Sequence, residues 1–298
     1  MSDHKWQRSS LRRLRSKLAD QAHSVSHTTV GRLLVQMNYS LKANVKRLAG
    51  ATHPDRNQQF EYIEQQKRAF LAAGLPVISV DTKKKELIGN FKNNGRSWCH
   101  QAEEVNDHDF AQDAVGKAIP YGIYDLAHQL GYVYVGTSAD TPQFAVEMIA
   151  RWWQAEGQAH FPAARQILIL ADAGGSNGCR PRDWKQQLQA QLADQLRLEV
   201  TVCHYPTGAS KWNPIEHRLF GPMSINWAGK PLRSFEAMLA YIQGTVTETG
   251  LQVKAFLVEQ VYEKGRTVSK AAMHDLNIQF AAVCPRWNYT IRPRPACT

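Results

Sequence analysis

The spacing of apolar residues divides the chain into a helical beginning and a longer part in which strands and helices alternate. Leu11, Leu14 and Leu18 recur at steps of three and four, with Ser9 or Ser10 placed to cap the helix they predict. After a short polar turn, Ser26 begins a second helix. Val25 and Val30 stand at the two positions of a hydrophobic staple, and Val30, Leu33, Leu34 and Met37 make one apolar face. His53-Pro54-Asp55 interrupts this pattern, and a third helix carries Phe60, Ile63, Phe70 and Leu71 as far as Gly74. From there the pattern is mixed. Strands are predicted at Pro76–Val80, Ile119–Tyr124, Tyr132–Val135, Ile167–Leu170 and Glu199–Cys203, with helices at about 141–155 and 182–196.

Three strands followed by two helix–strand units describe a mixed sheet covered by helices, an α/β class. The order fits a ribonuclease H-like five-stranded sheet with flanking helices, preceded by a small all-α helix-turn-helix module. The expected boundaries are 1–50 for that module, 51–75 for a linker helix, 76–245 for the sheet domain and 246–298 for a C-terminal extension. Within that extension, Trp287 and Tyr289 read as core or docking aromatics.

Charge adds a function to the first module. The net charge is +10, and residues 1–60 hold 11 Lys/Arg against 3 Asp/Glu, while the other 238 residues hold 25 against 23. A basic end on a near-neutral body reads as a nucleic-acid-binding module attached to something else. Arg12, Arg13 and Arg15 lie on the first helix, and the second presents His27, Thr28, Arg32 and Gln36, all able to reach phosphates or base edges. A plain helical hairpin with a solvated basic face is the alternative.

The remaining composition excludes several classes. No run approaches a membrane span and no signal-peptide core is present, so a soluble protein of the cytoplasm is expected. Five cysteines without a C-x-x-C pair argue against a disulfide framework and a zinc ribbon. The glycine-rich loop Gly174-Gly175-Ser176-Asn177-Gly178 lacks the G-K-[ST] end of a P-loop. It does satisfy G-x-S-x-G, which would make Ser176 a nucleophile with His217 or His274 as base. Against this, Ala171-Asp172-Ala173 separates it from the strand, and no oxyanion string lies upstream.

Three carboxylates stand out. Asp81 ends an apolar strand, where a carboxylate needs a partner or a metal; Lys83, Lys84 and Lys85 are the ordinary partners. Asp172 ends the fourth strand, where an Asp before glycines is also a common turn former. Glu216 follows Asn213 as N-cap and Pro214 as N1, so it falls on N3, a position at which Glu stabilises a helix without further role. Taken together, two strand-borne Asp and one helix-borne Glu form a minimal oxygen cage for two divalent ions, the set that phosphoryl transfer at a DNA backbone needs. Lys83, Lys84, Lys85 and Lys211 would then bind flanking phosphates.

The run from Asp81 through Asn93 resembles the first-aspartate motif of the Rhodopirellula-type DDE transposases. His53-Pro54-Asp55-Arg56, His108-Asp109-Phe110, Pro120 to Asp125, Asp172 to Gly178, Ser210 to Phe220 and Trp287-Asn288-Tyr289 match that family in order. The resemblance covers about residues 25 to 292. It implies Asp81, Asp172 and Glu216 as the catalytic, metal-binding triad, Mg2+ or Mn2+ as cofactor, transposon-end and target DNA as partners, and a homo-oligomer once assembled on DNA. Members usually carry more DNA-binding sequence ahead of the helix-turn-helix, whereas this chain starts almost at its first helix. A shortened copy that only binds DNA is therefore the alternative. The stretch Trp98 to Asp107 fits the pattern poorly and leaves Glu103 and Glu104 without a role. If Arg12, Arg13, Arg15 and Arg32 contact phosphates, fluorescence-anisotropy titrations should show DNA affinity falling steeply with salt, with a log–log slope of about −0.9 per contact.

Overall fold

The computed structural model describes residues 10–39, 53–96, 100–106 and 112–295. Ser9, the stretch 97–99 and His108-Asp109-Phe110 lie outside the described residues. The chain divides into two units, Met1–Thr52 and His53–Thr298. No helix among the described residues is long and apolar enough to cross a membrane.

In the first unit, α1 (Leu11–Asp20) is capped by Ser10, whose Oγ accepts from the Arg13 N–H, and α2 (His27–Gln36) by Ser26, which accepts from Thr29 N–H. The expected apolar face of α2 is narrower than its sequence suggests. Val30 is buried and Leu34 half-buried, while Leu33 and Met37 are 42% and 65% exposed. Two short helices cover one stripe, and Met37 is already the C-cap.

In the second unit, α3 (Arg56–Ala72) lies against a sheet built of β1 (Val77–Thr82), β2 (Glu86–Ile88), β3 (Gly116–Asp125), β4 (Leu130–Gly136), β5 (Gln166–Asp172), β6 (Glu199–Tyr205), β7 (Gln252–Val258), β8 (Ile278–Phe280) and β9 (Asn288–Ile291). The order is β7-β4-β3-β1-β5-β6-β9-β8, with β2 on β3. The five strands read from the sequence occupy the centre. β1 pairs antiparallel with β3 and β3 with β4, whereas β1–β5 and β5–β6 are parallel, as the two crossovers through helices require. The edges come from the chain's last fifty residues: β7 extends β4 in parallel, and β9 pairs antiparallel with β6. Tyr289 on β9 is buried and Trp287 is only 8% exposed, in keeping with core aromatics.

Both faces of the sheet are covered, so period-two alternation sends alternate residues into different cores. Ile78 and Val80 of β1, with Ile167 and Ile169 of β5, face α4 (Pro142–Trp152) and α6 (Arg182–Gln187), where Phe144, Met148, Trp152 and Trp184 fill the space; the short α5 (Gln158–His160) precedes β5. Val77, Leu168 and Leu170 face α3 through Ile63. Thr141 caps α4 as expected, accepting from Phe144 N–H. The third core joins β3 and β4 to α7 (Gly221–Asn226), α8 (Phe235–Gln243) and the π-helical turn Glu216–Phe220 ahead of α7. The short α9 (Lys270–His274) precedes β8.

The turn bearing Glu216 reaches the sheet because two strand residues lack side chains. A Cβ on Gly122 of β3 would lie 2.5 Å from Phe220 Cε1 and 2.8 Å from Ile215 Cδ1, and one on Gly131 of β4 would lie 2.5 Å from Leu219 Cδ1. Gly122 is the residue paired with Asp81 across β1–β3. Gly122→Ala is therefore expected to destabilise the protein by about 1–3 kcal/mol through overpacking. A thermal melt would register this as a fall of several degrees; an unchanged melt would mean that the turn is not seated by this contact.

Candidate active site

The parallel pairing of β1 with β5 sets the geometry. Val80 is opposite Ala171, so the next residues, Asp81 and Asp172, stand side by side at the carboxyl ends of neighbouring strands. Strands in a sheet run about 4.8 Å apart, which brings the two carboxyl groups into each other's field. Neither is fully buried. Asp81 Oδ1 accepts from its neighbour's N–H, that of Thr82, at 2.8 Å.

Asn213 joins this pair to Glu216. Its side chain is fully buried and donates through Nδ2 to Asp172 Oδ1 at 3.0 Å and, more weakly, to the Val80 carbonyl at 3.4 Å. Its Oδ1 accepts from the Ser79 hydroxyl at 2.5 Å. Ser79 Oγ in turn accepts from the Ile215 N–H at 3.1 Å. Asn213 thus holds the N-cap position, as the sequence suggests, but its side chain does not cap. An oxygen from β1 does so instead, releasing the Asn amide to reach Asp172. The Glu216 N–H donates to the Asn213 carbonyl, and the Glu216 carboxyl group is half-exposed within the field of both Asp residues.

The electrostatics follow from three like charges in a poorly solvated place. Burial pushes the Asp81 carboxyl up to about 8, with the charge of Asp172 adding to it; the Thr82 N–H opposes, and Glu216 and Asp140 add further. Burial also raises Asp172 to about 6, against the Asn213 hydrogen bond and with Glu216 adding. Glu216 is raised by burial, moderated by Lys83 and His217. Behind Asp172 lies a chain of hydrogen bonds. Trp184 Nε1 donates to Tyr289 Oη at 2.8 Å, Tyr289 to His204 Nε2 at 3.0 Å, and His204 Nδ1 to the Asp172 carbonyl at 2.9 Å. Full burial holds His204 down to about 3, so it is neutral and in the tautomer this chain needs.

The four lysines differ in setting. Lys83 is turned inward, its ammonium 3.4 Å from Glu86 and 4.8 Å from the centre of the Trp227 ring. Lys84 is exposed, and Lys85 is 3.4 Å from Asp140. Lys211 is exposed over Trp212, which is itself 56% exposed and edge-on to Phe60. Asp140, which the sequence reading did not single out, accepts from the Thr82 hydroxyl at 3.1 Å. Beside it runs a groove of about 770 Å³ lined by Asp140, Ser176, Arg182, Lys264 and Arg266. Arg12, Arg13, Arg15, His27, Thr28, Arg32 and Gln36 belong to the other unit and are all exposed. Glu103 acquires a partner, Arg233, at 2.5 Å.

The hydrolase alternative has no geometry to support it. Ser176 Oγ is buried without a hydrogen-bond partner, His217 Nε2 donates to the Lys211 carbonyl, and His274 is exposed. Ser79 and Asn213 were the positioning residues least visible beforehand. The signal for the first was one hydroxyl inside an apolar strand, and for the second an amide that read equally well as a local cap.

The family model described as Rhodopirellula transposase DDE domain matches residues 1–293. Among solved structures, the crystal structure of a pre-cleavage Mos1 transpososome is similar in fold, with TM-score 0.50 and 15% identity, covering 81% of this chain and 73% of that one. The Mos1 transposase paired-end complex with left transposon end aligns at TM-score 0.48 and 17% identity over 81% and 73% of the two chains. No curated protein matches.

The raised carboxylate at Asp81 has a consequence for stability. The folded protein retains that proton to about pH 8, whereas the unfolded chain loses it near 3.8, so folded stability falls as pH rises between the two. Asp81→Asn is expected to stabilise the metal-free protein by several kcal/mol at pH 8, with the gain disappearing near pH 4. Urea unfolding at the two pH values measures this, and an equal effect at both would remove the electrostatic explanation.

Proposed function

This chain belongs to the Rhodopirellula-type DDE transposase family, and from that premise we propose that Asp81, Asp172 and Glu216 are its metal-binding carboxylates, cutting transposon-end DNA and joining it to a target by in-line phosphoryl transfer. One observation carries the assignment: Asp81 and Asp172 end adjacent parallel strands, and the turn bearing Glu216 is seated over the glycine opposite Asp81. A transposase of this type uses a divalent metal; we propose two ions, Mg2+ or Mn2+. The donor set fits, because all its members are hard oxygen ligands and their charges repel one another without a cation between them. Bound there, divalent ions would activate the attacking oxygen and neutralise charge developing at the phosphate.

The chain's own residues supply the positioning. Asn213 holds one oxygen of Asp172 and leaves the other free, and the His204 chain immobilises the backbone beneath it. Lys84 and Lys211 are exposed, close in sequence to Asp81 and Glu216, and suited to flanking phosphates. In this reading the 1–50 module grips transposon ends through Arg12, Arg13, Arg15 and Arg32 against phosphates and His27, Thr28 and Gln36 toward bases. Pairing of two ends calls for two copies of the chain on DNA, acting in the cytoplasm on the nucleoid.

Cleavage of a labelled duplex carrying the element's own ends tests the proposal, in Mg2+ or Mn2+, with wild type beside Asp172→Ala and Ser176→Ala. Metal-dependent nicking should fall about a thousandfold or more in Asp172→Ala and persist in Ser176→Ala. Equal, metal-independent behaviour of wild type and Asp172→Ala, with DNA binding retained, would leave a protein that only binds DNA.

A further inference from the structure

At the other end of β3 the structure gathers a second set of metal-ligating side chains. Ile78 is paired with Asp125 and Asp81 with Gly122, so Asp125 lies three residues along the strand from the carboxylate site, about 10 Å at roughly 3.3 Å per residue. Asp125, His128 and His160 place one donor atom each within 4.8 Å of one another, the one such trio among the described residues. The Asp125 side chain is completely buried. Its Oδ1 accepts from the N–H groups of Ala127 and His128, closing the turn between β3 and β4. Its Oδ2 faces two imidazoles, with His128 Nδ1 at 2.8 Å and His160 Nδ1 at 3.8 Å. The rings stand 4.7 Å apart, and Phe161 packs edge-on against that of His128.

The hydrogen bonds leave this arrangement incomplete. One proton on His128 satisfies Oδ2, yet His160 Nδ1 is buried with no hydrogen-bond partner. A buried ring nitrogen without a partner is unfavourable, and among the described residues the acceptor facing it, Asp125 Oδ2 at 3.8 Å, is too distant to relieve it. A cation between the three atoms would. Tetrahedral ligands at the usual Zn–N and Zn–O distances stand about 3.4 Å apart, a value between the two separations observed here. Two imidazoles with one carboxylate suit zinc or cobalt and are poor for magnesium, unlike the all-oxygen set at Asp81 and Asp172. The His128 and His160 side chains are 41% and 26% exposed, which leaves solvent a route to the remaining coordination position.

We propose that Asp125, His128 and His160 form a second metal centre, separate from the carboxylate cage, which takes a zinc-class divalent ion. It would clip the β3–β4 turn to the end of the helix that precedes β5, and so brace the strand on which Gly122 sits. It does not depend on the transposase assignment.

The test uses the full chain carrying Asp81→Asn and Asp172→Asn, so that the carboxylate cage does not compete. Freed of metal with a chelator, this parent is titrated with ZnCl2, CoCl2 and MgCl2 while melting and the cobalt visible spectrum are followed. One equivalent of zinc or cobalt should bind, cobalt should give a ligand-field spectrum of mixed nitrogen and oxygen donors, and zinc at a hundredfold excess over Kd should raise Tm by about 5 °C. Magnesium should do neither. Adding His160→Ala, or His160→Gln to keep the shape, should leave the metal-free melt near that of the parent and weaken zinc binding at least tenfold; His128→Ala should weaken it likewise. Zinc binding and stabilisation that are unchanged in His160→Ala and in His128→Ala overturn the proposal, as does a parent that binds no zinc.

Discussion

A single buried amide ties the chemistry of this protein to its fold. Asn213 is shut away from water, so every polar atom it carries must find a partner inside. It finds them on two strands: the Ser79 hydroxyl and Val80 carbonyl on β1, and the Asp172 carboxylate at the end of β5. Because Ser79 also receives the Ile215 N–H, the start of the turn bearing Glu216 is bolted to the strand that bears Asp81. Three carboxylates from remote parts of the chain are thereby held by one connected network. Removing any member would leave its neighbours buried and unsatisfied, which is the costly direction for a polar network.

Packing works alongside that network. Gly122 and Gly131 remove the side chains that would otherwise keep the Glu216 turn off the sheet, and Ile215, Leu219 and Phe220 fill the space. The strain is electrostatic rather than steric. Burial and mutual repulsion lift Asp81 and Asp172 well above ordinary carboxylates, so the fold holds together a charge cluster that it would be more stable without. A site that gathers like charges in this way is organised for a cation and a phosphate, at the expense of the protein's own stability.

Much of this was legible in the residues. Strand positions came from β-branched runs, caps from Ser26 and Thr141, and the carboxylates from their places at strand ends and at a helix start. Other features were not. β7 and β9 lay outside the strands read from the residues: β9 is only four residues long, and the alternation of β7 acquires its meaning only from β4, the strand it joins. Lys83 reads as one of three equivalent basic residues, and only the positions of Glu86 and Trp227 turn it inward. Asp140 reads as a residue before an N-cap, and nothing local brings it toward Thr82 and Asp81.

The division has a physical cause. Hydrophobic period, cap chemistry and turn residues act over a few positions, so the sequence by itself determined the elements, the α/β class, the basic first module and the three acidic residues worth watching. Which polar atoms meet depends on strand register and on how closely a helix can approach a sheet, and those are set by contacts between residues far apart in the chain, 41 positions for Asn213 and Asp172 and 134 for Ser79 and Asn213. Only the tertiary structure could therefore decide that Asn213 serves Asp172 rather than its own helix, that Gly122 seats the turn bearing Glu216, and that Asp125 meets His160.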